Sequence, residues 1–135
     1  MKVVLDTNVI VSALINEKGT CGQILRLVFG GRLDLCVDER ILHEYETVLP
    51  RPLFRMLPED VNNALNLIRF RAERTVAPPL RVELSDRSDL PFLETAAAAD
   101  ALLVTGNARH FTRHERAGVI VMTPREFLDF LRSSS

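Results

Sequence analysis

MKVVLDTNVI, residues 1–10, is the stretch on which the reading of the whole chain turns. Val3, Val4 and Leu5 form a short apolar run with no polar alternation. That is the pattern of a strand covered on both faces, as in a parallel sheet. Asp6 stands where the run ends, followed by Thr7 and Asn8. A carboxylate at the carboxyl end of a buried strand is costly unless something pairs with it, and in open α/β sheets that edge is where ligands bind. Asp, Thr and Asn are also good helix N-caps. From this stretch alone Asp6 is equally a cap and a metal ligand.

Outward from this strand the chain alternates. VSALIN, residues 11–16, reads as a short helix, and Thr20 as the cap of a second through CGQILRLVF, ended by Gly30 and Gly31. Residues 33–37, LDLCV, form a second strand. Asp38 is placed as the N-cap of ERILHEYETVL, whose apolar stripe is Ile41, Leu42, Tyr45, Val48 and Leu49; Pro50 and Pro52 close it. A helix opening at Pro58 is expected to run through VNNALNLIRFRAER, to residue 74. Residues 76–84 are broken by Pro78 and Pro79, with room for a short extended piece. Asp89 can cap LPFLETAAAA, ALLVT (101–105) and GVIVM (118–122) are further strands, and Thr123 caps a last helix with Pro124 in its first turn. Strands separated by helices predict an α/β fold: a three-layer α/β/α sandwich with a mainly parallel central sheet of about five strands, in one domain spanning 1–135.

Composition narrows the function classes. The net charge of −1 provides no global field for nucleic acid or an anionic membrane. Only Lys2 and Lys18 are lysines and the other 15 basic residues are arginines, a side chain suited to bidentate phosphate contact, although a composition bias explains the same count. No run reaches the roughly 20 apolar residues of a membrane span. Cys21 and Cys36 have no metal-ligand spacing and no secretory leader precedes them, so they read as reduced core thiols of a cytoplasmic protein.

The acids then sort by position. Strand carboxyl ends and helix amino ends share one edge of a parallel sheet, which brings Asp6, Asp89 and Asn107 to that edge. Glu44 lies beside the apolar stripe of its helix, facing either solvent or a partner inside. Crowded carboxylates resist ionising, and a hard divalent cation with oxygen ligands relieves them. His43, His110 and His114 are scattered, which gives zinc little support.

Four pieces, VVLDTNVIVSAL, ERILHEYETVL, DRSDLPFLETAAAADALLVTGNARHF and VIVMTPREFL, occur in order over almost the whole chain. With them the sequence resembles PIN-domain proteins of the type that serve as toxins in toxin–antitoxin pairs. The resemblance implies a Mg²⁺- or Mn²⁺-dependent ribonuclease with an RNA substrate, a cognate antitoxin and a homodimeric state. Matched by position, Asp6, Glu44 and Asp89 correspond to the metal-binding and catalytic acids. Asn107 falls where many members carry a fourth Asp, and Thr105 matches a hydroxyl that supports the first. An amide at 107 supplies no charge and no base, which weakens a second metal site and keeps open an alternative: a PIN-fold module that binds RNA or a protein without cutting. Asn8 either orients substrate or fixes the strand-to-helix turn. Arg109 and Arg113 are candidate phosphate contacts, Asp86 reads as loop, and Glu94 as a supporting or surface acid.

Overall fold

The computed structural model describes residues 1–84, 86–111 and 116–133. Among them the chain forms β1 (Lys2–Leu5), α1 (Thr7–Ile15), α2 (Thr20–Phe29), β2 (Asp34–Val37), α3 (Glu39–Val48), α4 (Pro58–Arg71), β3 (Glu73–Arg74), α5 (Leu90–Ala99), β4 (Leu102–Val104), β5 (Val121–Met122) and α6 (Pro124–Ser133). The sheet order is β3-β2-β1-β4-β5, and each neighbouring pair is parallel. The six helices among the described residues flank this sheet, giving the expected α/β/α arrangement. Parallel strands require crossovers, and here the helices provide them.

After Lys2, β1 has nothing polar to expose, which suits the central position: Val3, Val4 and Leu5 are completely buried. They join one apolar cluster with Ile10, Ile24, Leu35, Ile41, Leu93 and Leu103. Asp38 caps α3 as predicted, accepting from the Ile41 amide at 2.9 Å. Thr123 forms a reciprocal cap with Glu126 at the start of α6, through bonds of 2.9 and 3.1 Å. Asp100, with φ 54°, ends α5 in the left-handed region and turns the chain into β4.

Several expectations change. α1 begins at Thr7, directly after Asp6, so no loop separates it from β1. Thr20 lies inside α2, whose cap position is Gly19. α4 stops at Arg71: Ala72 turns extended, and Glu73 and Arg74 pair with Cys36 and Val37 as the edge strand. The fifth strand therefore lies in RAER, which the sequence assigned to the helix, and no strand forms in 76–84. Tertiary pairing overrides the good helix propensity of Ala, Glu and Arg there, because the exposed edge of β2 offers ladder partners. The last strand keeps only residues 121 and 122 of the predicted 118–122. Arg113 and His114 lie outside the described residues.

Candidate active site

From β1 the sheet grows one way through β2 and β3 and the other way through β4 and β5. The reversal lies between β1 and β4, and the crevice outside the strand carboxyl ends at such a point is the place where open α/β sheets bind ligands. Leu5 pairs with Val104 there. The next residues on each strand, Asp6 and Thr105, consequently meet.

Asp6 occupies the N-cap position of α1, yet its side chain makes no capping bond. Its carboxylate accepts instead from the Thr105 hydroxyl, Oγ1 to Oδ2, at 2.6 Å. Thr105 Oγ1 in turn accepts from the Asn107 amide at 3.1 Å. Both Asp6 and Thr105 are buried, so the hydroxyl fixes the carboxylate rotamer and leaves the second oxygen without a capping role. The Asp6 side chain is therefore not the cap of α1.

Glu44 comes from the middle of α3 and turns inward. The hydroxyl of Thr7, first residue of α1, donates a hydrogen bond to it. Its neighbour Tyr45 is completely buried and donates from its hydroxyl to the Leu5 carbonyl at 2.5 Å. Burial, followed by the negative charges of Asp6 and Glu44, pushes this phenol well above its ordinary pKa, so it remains a donor. The Tyr45 bond ties α3 to the last residue of β1 and sets Glu44 against the strand end.

Asp89 also stands at a helix start, that of α5, without a capping bond. The turn before it, Arg87–Asp89, is capped by Asp86, which accepts from the Ser88 amide at 2.9 Å and hydroxyl at 2.7 Å. Those two bonds lower the Asp86 pKa. Asp89 behaves oppositely: burial, then the charges of Asp6 and Asp86, raise its pKa, and His110 offsets only part of this. Asp89 Oδ2 is buried without a hydrogen-bond partner, and so is His110 Nδ1, which lies 3.5 Å away. Buried polar atoms are rarely left unpaired.

These side chains share one open cleft of about 260 Å³, lined by Asp6, Thr7, Asn8, Glu44, Val48, Arg51, Phe54, Asp86, Ser88, Asp89, Phe92 and Asn107. The structure thus brings together Asp6, Glu44, Asp89, Asn107 and Asn8, with Thr105 beneath them. Arg109 is exposed and does not line the cleft. Glu94 is buried, bound to Arg40 at 2.8 Å and to the Leu80 amide at 2.6 Å, and holds the segment before Asp86 onto α5. It is neither a surface residue nor part of the cleft. Sequence reasoning passed over Tyr45 as one more stripe residue, although a buried phenol needs a partner. It also passed over His110 and Arg51, the latter marked by a proline on each side.

A cation can be tested against this donor set. The cleft offers carboxylate, amide and hydroxyl oxygens, the chemistry of a hard divalent ion, and Asp89 Oδ2 is a buried acceptor with no hydrogen bond. Among the described residues no three His, Cys, Asp or Glu side chains converge as a preformed chelate. A Mg²⁺ ion bound through one or two carboxylates and several waters does not require one. The residues fit such an ion in donor type and charge.

The PIN domain family model matches residues 2–109. Over 140 aligned positions the chain is 27% identical to an uncharacterised protein of Methanocaldococcus jannaschii, covering 96% of this chain and 90% of that protein. The fold is similar to VapBC2 from Rickettsia felis, solved bound to a DNA fragment from its promoter, with TM-score 0.58 at 18% identity over 91% of this chain and 98% of that one. It is also similar to a domain of a functionally unknown protein from Methanocaldococcus jannaschii, with TM-score 0.54 at 16% identity, over 90% of this chain and 89% of that one.

Proposed function

This chain belongs to the PIN domain family, and from that premise we propose that it is a Mg²⁺- or Mn²⁺-dependent ribonuclease hydrolysing RNA phosphodiester bonds. The observation that carries the reading is the acid cleft at the sheet reversal, where Asp89 Oδ2 is buried without a hydrogen-bond partner and two aspartates forgo the caps their positions offer. Asp6 and Asp89, with Glu44 directly or through water, hold the cation. When bound, the cation supplies Lewis acidity toward a phosphate oxygen and acidifies a coordinated water. Thr105 keeps Asp6 in the holding rotamer. Tyr45 and Thr7 keep Glu44 inside the cleft. Asn107 orients the attacking water by hydrogen bonding, without supplying a charge or a base.

In this reading the chain is the toxin of a toxin–antitoxin pair, acts in the cytoplasm as one domain over 1–135, and pairs with an antitoxin and a second copy of itself. The test is RNA cleavage by purified protein with Mg²⁺ or Mn²⁺. Asp6→Asn and Asp89→Asn should each lower cleavage by at least about 100-fold, since even residues that only support metal ligands cost 10–100-fold. Cleavage surviving in both variants, still folded by circular dichroism, would sink the assignment.

Asn107 favours a second reading, a PIN-fold module that binds RNA or a protein without turnover. Calorimetric titration with Mn²⁺ separates the two: a site abolished in Asp6→Ala supports the ribonuclease, and RNA binding with no cleavage at saturating Mn²⁺ supports the module.

A further inference from the structure

The cleft is acidic, and its proposed substrate is a polyanion. Among the described residues lining it, Arg51 is the only arginine or lysine. Its guanidinium has no ion pair or hydrogen bond among those residues, although Glu44, Asp6, Asp86 and Asp89 line the same space. By contrast Arg40 and Arg74 are engaged with carboxylates and Arg116 with the Phe111 carbonyl. The Arg51 backbone is held on both sides. Its amide donates to the Val48 carbonyl at 3.1 Å, and its carbonyl accepts from the Phe54 amide at 3.1 Å. Pro50 and Pro52 flank it and fix φ at their own positions. The turn Pro52–Phe54 then carries Phe54 back to the cleft, half-buried against the core. A guanidinium without a partner, carried on a held backbone and sharing the cleft with an aromatic ring, matches what unpaired RNA offers, a phosphate next to a base face.

We infer that Arg51 and Phe54 are the substrate-positioning pair of the cleft, Arg51 taking a phosphate beside the scissile one and Phe54 stacking on the adjoining base. This inference rests on the ribonuclease reading for its substrate class, and it replaces Arg109 as the phosphate contact. A guanidinium fork binds a phosphate through two parallel N–H donors, so Arg51 sets the register of the strand over the acids. Neither residue holds the cation, so neither should alter cation affinity.

The test uses a short single-stranded RNA and the full chain. In steady-state cleavage, Arg51→Ala should raise KM about tenfold, the loss of one charge-assisted contact, with kcat within about threefold. RNA affinity measured by fluorescence anisotropy in the Asp6→Asn background, where the substrate survives, should show a smaller salt dependence with Arg51→Ala. The slope of log K against log salt should fall by about 0.7, the value for one phosphate on a single strand. Arg51→Lys should restore that slope. Phe54→Ala should weaken binding about tenfold, as loss of one stacked base does, and leave the slope unchanged. Mn²⁺ affinity by calorimetry should be the same in Arg51→Ala, Arg51→Lys and Phe54→Ala as in the wild type. An unchanged KM and slope in Arg51→Ala would overturn the inference, as would a loss of Mn²⁺ affinity. A wild-type protein that binds RNA without cutting it refutes the ribonuclease reading alone, and the salt slope still decides for or against Arg51. A wild-type protein that binds no RNA refutes both.

Discussion

Helix α3 touches two groups of acids, all buried but the half-buried Glu44. At its start Asp38 and Glu94, 7% and 5% exposed, are both paired with Arg40 at 2.7 and 2.8 Å. Farther along the helix Glu44 joins Asp6 and Asp89, each 7% exposed, and among the described residues no arginine or lysine lies within ion-pair distance of these three. Burial is the same for the aspartates of both groups, so exposure does not distinguish them. The difference is compensation. Arg40 bridges two carboxylates that would otherwise repel and desolvate at a cost, and through Glu94 it holds the Leu80 amide and the segment leading to Asp86. In the other group Asp6 and Glu44 accept from the Thr105 and Thr7 hydroxyls, and Asp89 has the His110 imidazole 3.5 Å from its Oδ2 in place of a guanidinium. A fold neutralises the acids it uses as struts. Acids gathered without an arginine or lysine partner can take a charge from outside.

Supplying that outside charge is the strongest way to break the comparison. Mg²⁺ or Mn²⁺ should stabilise the wild-type protein by about 2.7 kcal/mol at a free concentration of about 100 Kd. Thermal unfolding should show the gain, and Asp6→Asn or Asp89→Asn should lose it. An equal gain in those variants would mean that the cation sits elsewhere.

Removing compensation from the other group comes next. Arg40→Ala should destabilise by about 2 kcal/mol, less than the 3–5 kcal/mol of a fully buried pair because the guanidinium is half-exposed and screened by solvent. Urea unfolding measures this, and a neutral result would show that the Asp38 and Glu94 hydrogen bonds suffice alone.

The smallest effect sharpens the contrast from within the cleft. The folded pKa of Asp89 is raised, so the folded state holds its proton more tightly than the unfolded chain does. Its contribution to stability is therefore full below the unfolded carboxylate pKa and is lost as pH rises through the folded value. Without divalent cation at neutral pH, Asp89→Asn should raise Tm by a few degrees, a gain in stability at the cost of function. The gain should vanish when the pH falls low enough to protonate the wild-type carboxyl. A gain that persists in acid would point to packing rather than charge.

Much of this was legible in the sequence because it rests on short-range patterns. Val3, Val4 and Leu5 announce a strand buried on both faces, Asp38 sits three residues before the amide it caps, and Thr123 and Glu126 have the spacing of a reciprocal cap. Local rules failed where distant partners decide. RAER scores well as helix, but Glu73 and Arg74 answer to Cys36 and Val37, across a separation of 37 residues. Glu94 lies in an apolar helix and is read from one sequence as supporting or exposed, because neither Arg40 nor the Leu80 amide is near it in the chain. Arg109 follows Asn107 closely and so looks the better phosphate contact in the sequence, whereas Arg51, more than 50 positions from Asn107, lines the cleft with it.

The sequence by itself therefore determined the alternation of strands and helices, the run that becomes the central strand, and the carboxylates gathered along one sheet edge. These follow from hydrophobic period and capping chemistry, which act over a few residues. Only the tertiary structure decided that the reversal falls between β1 and β4, that the Thr105 hydroxyl and not an α1 amide claims the Asp6 carboxylate, and that Arg40 neutralises one pair of acids while the other group has no arginine or lysine partner among the described residues. Each of these depends on which groups meet across the fold once the strands are ordered, and the energy of a buried charge is set by those neighbours, not by its place in the chain.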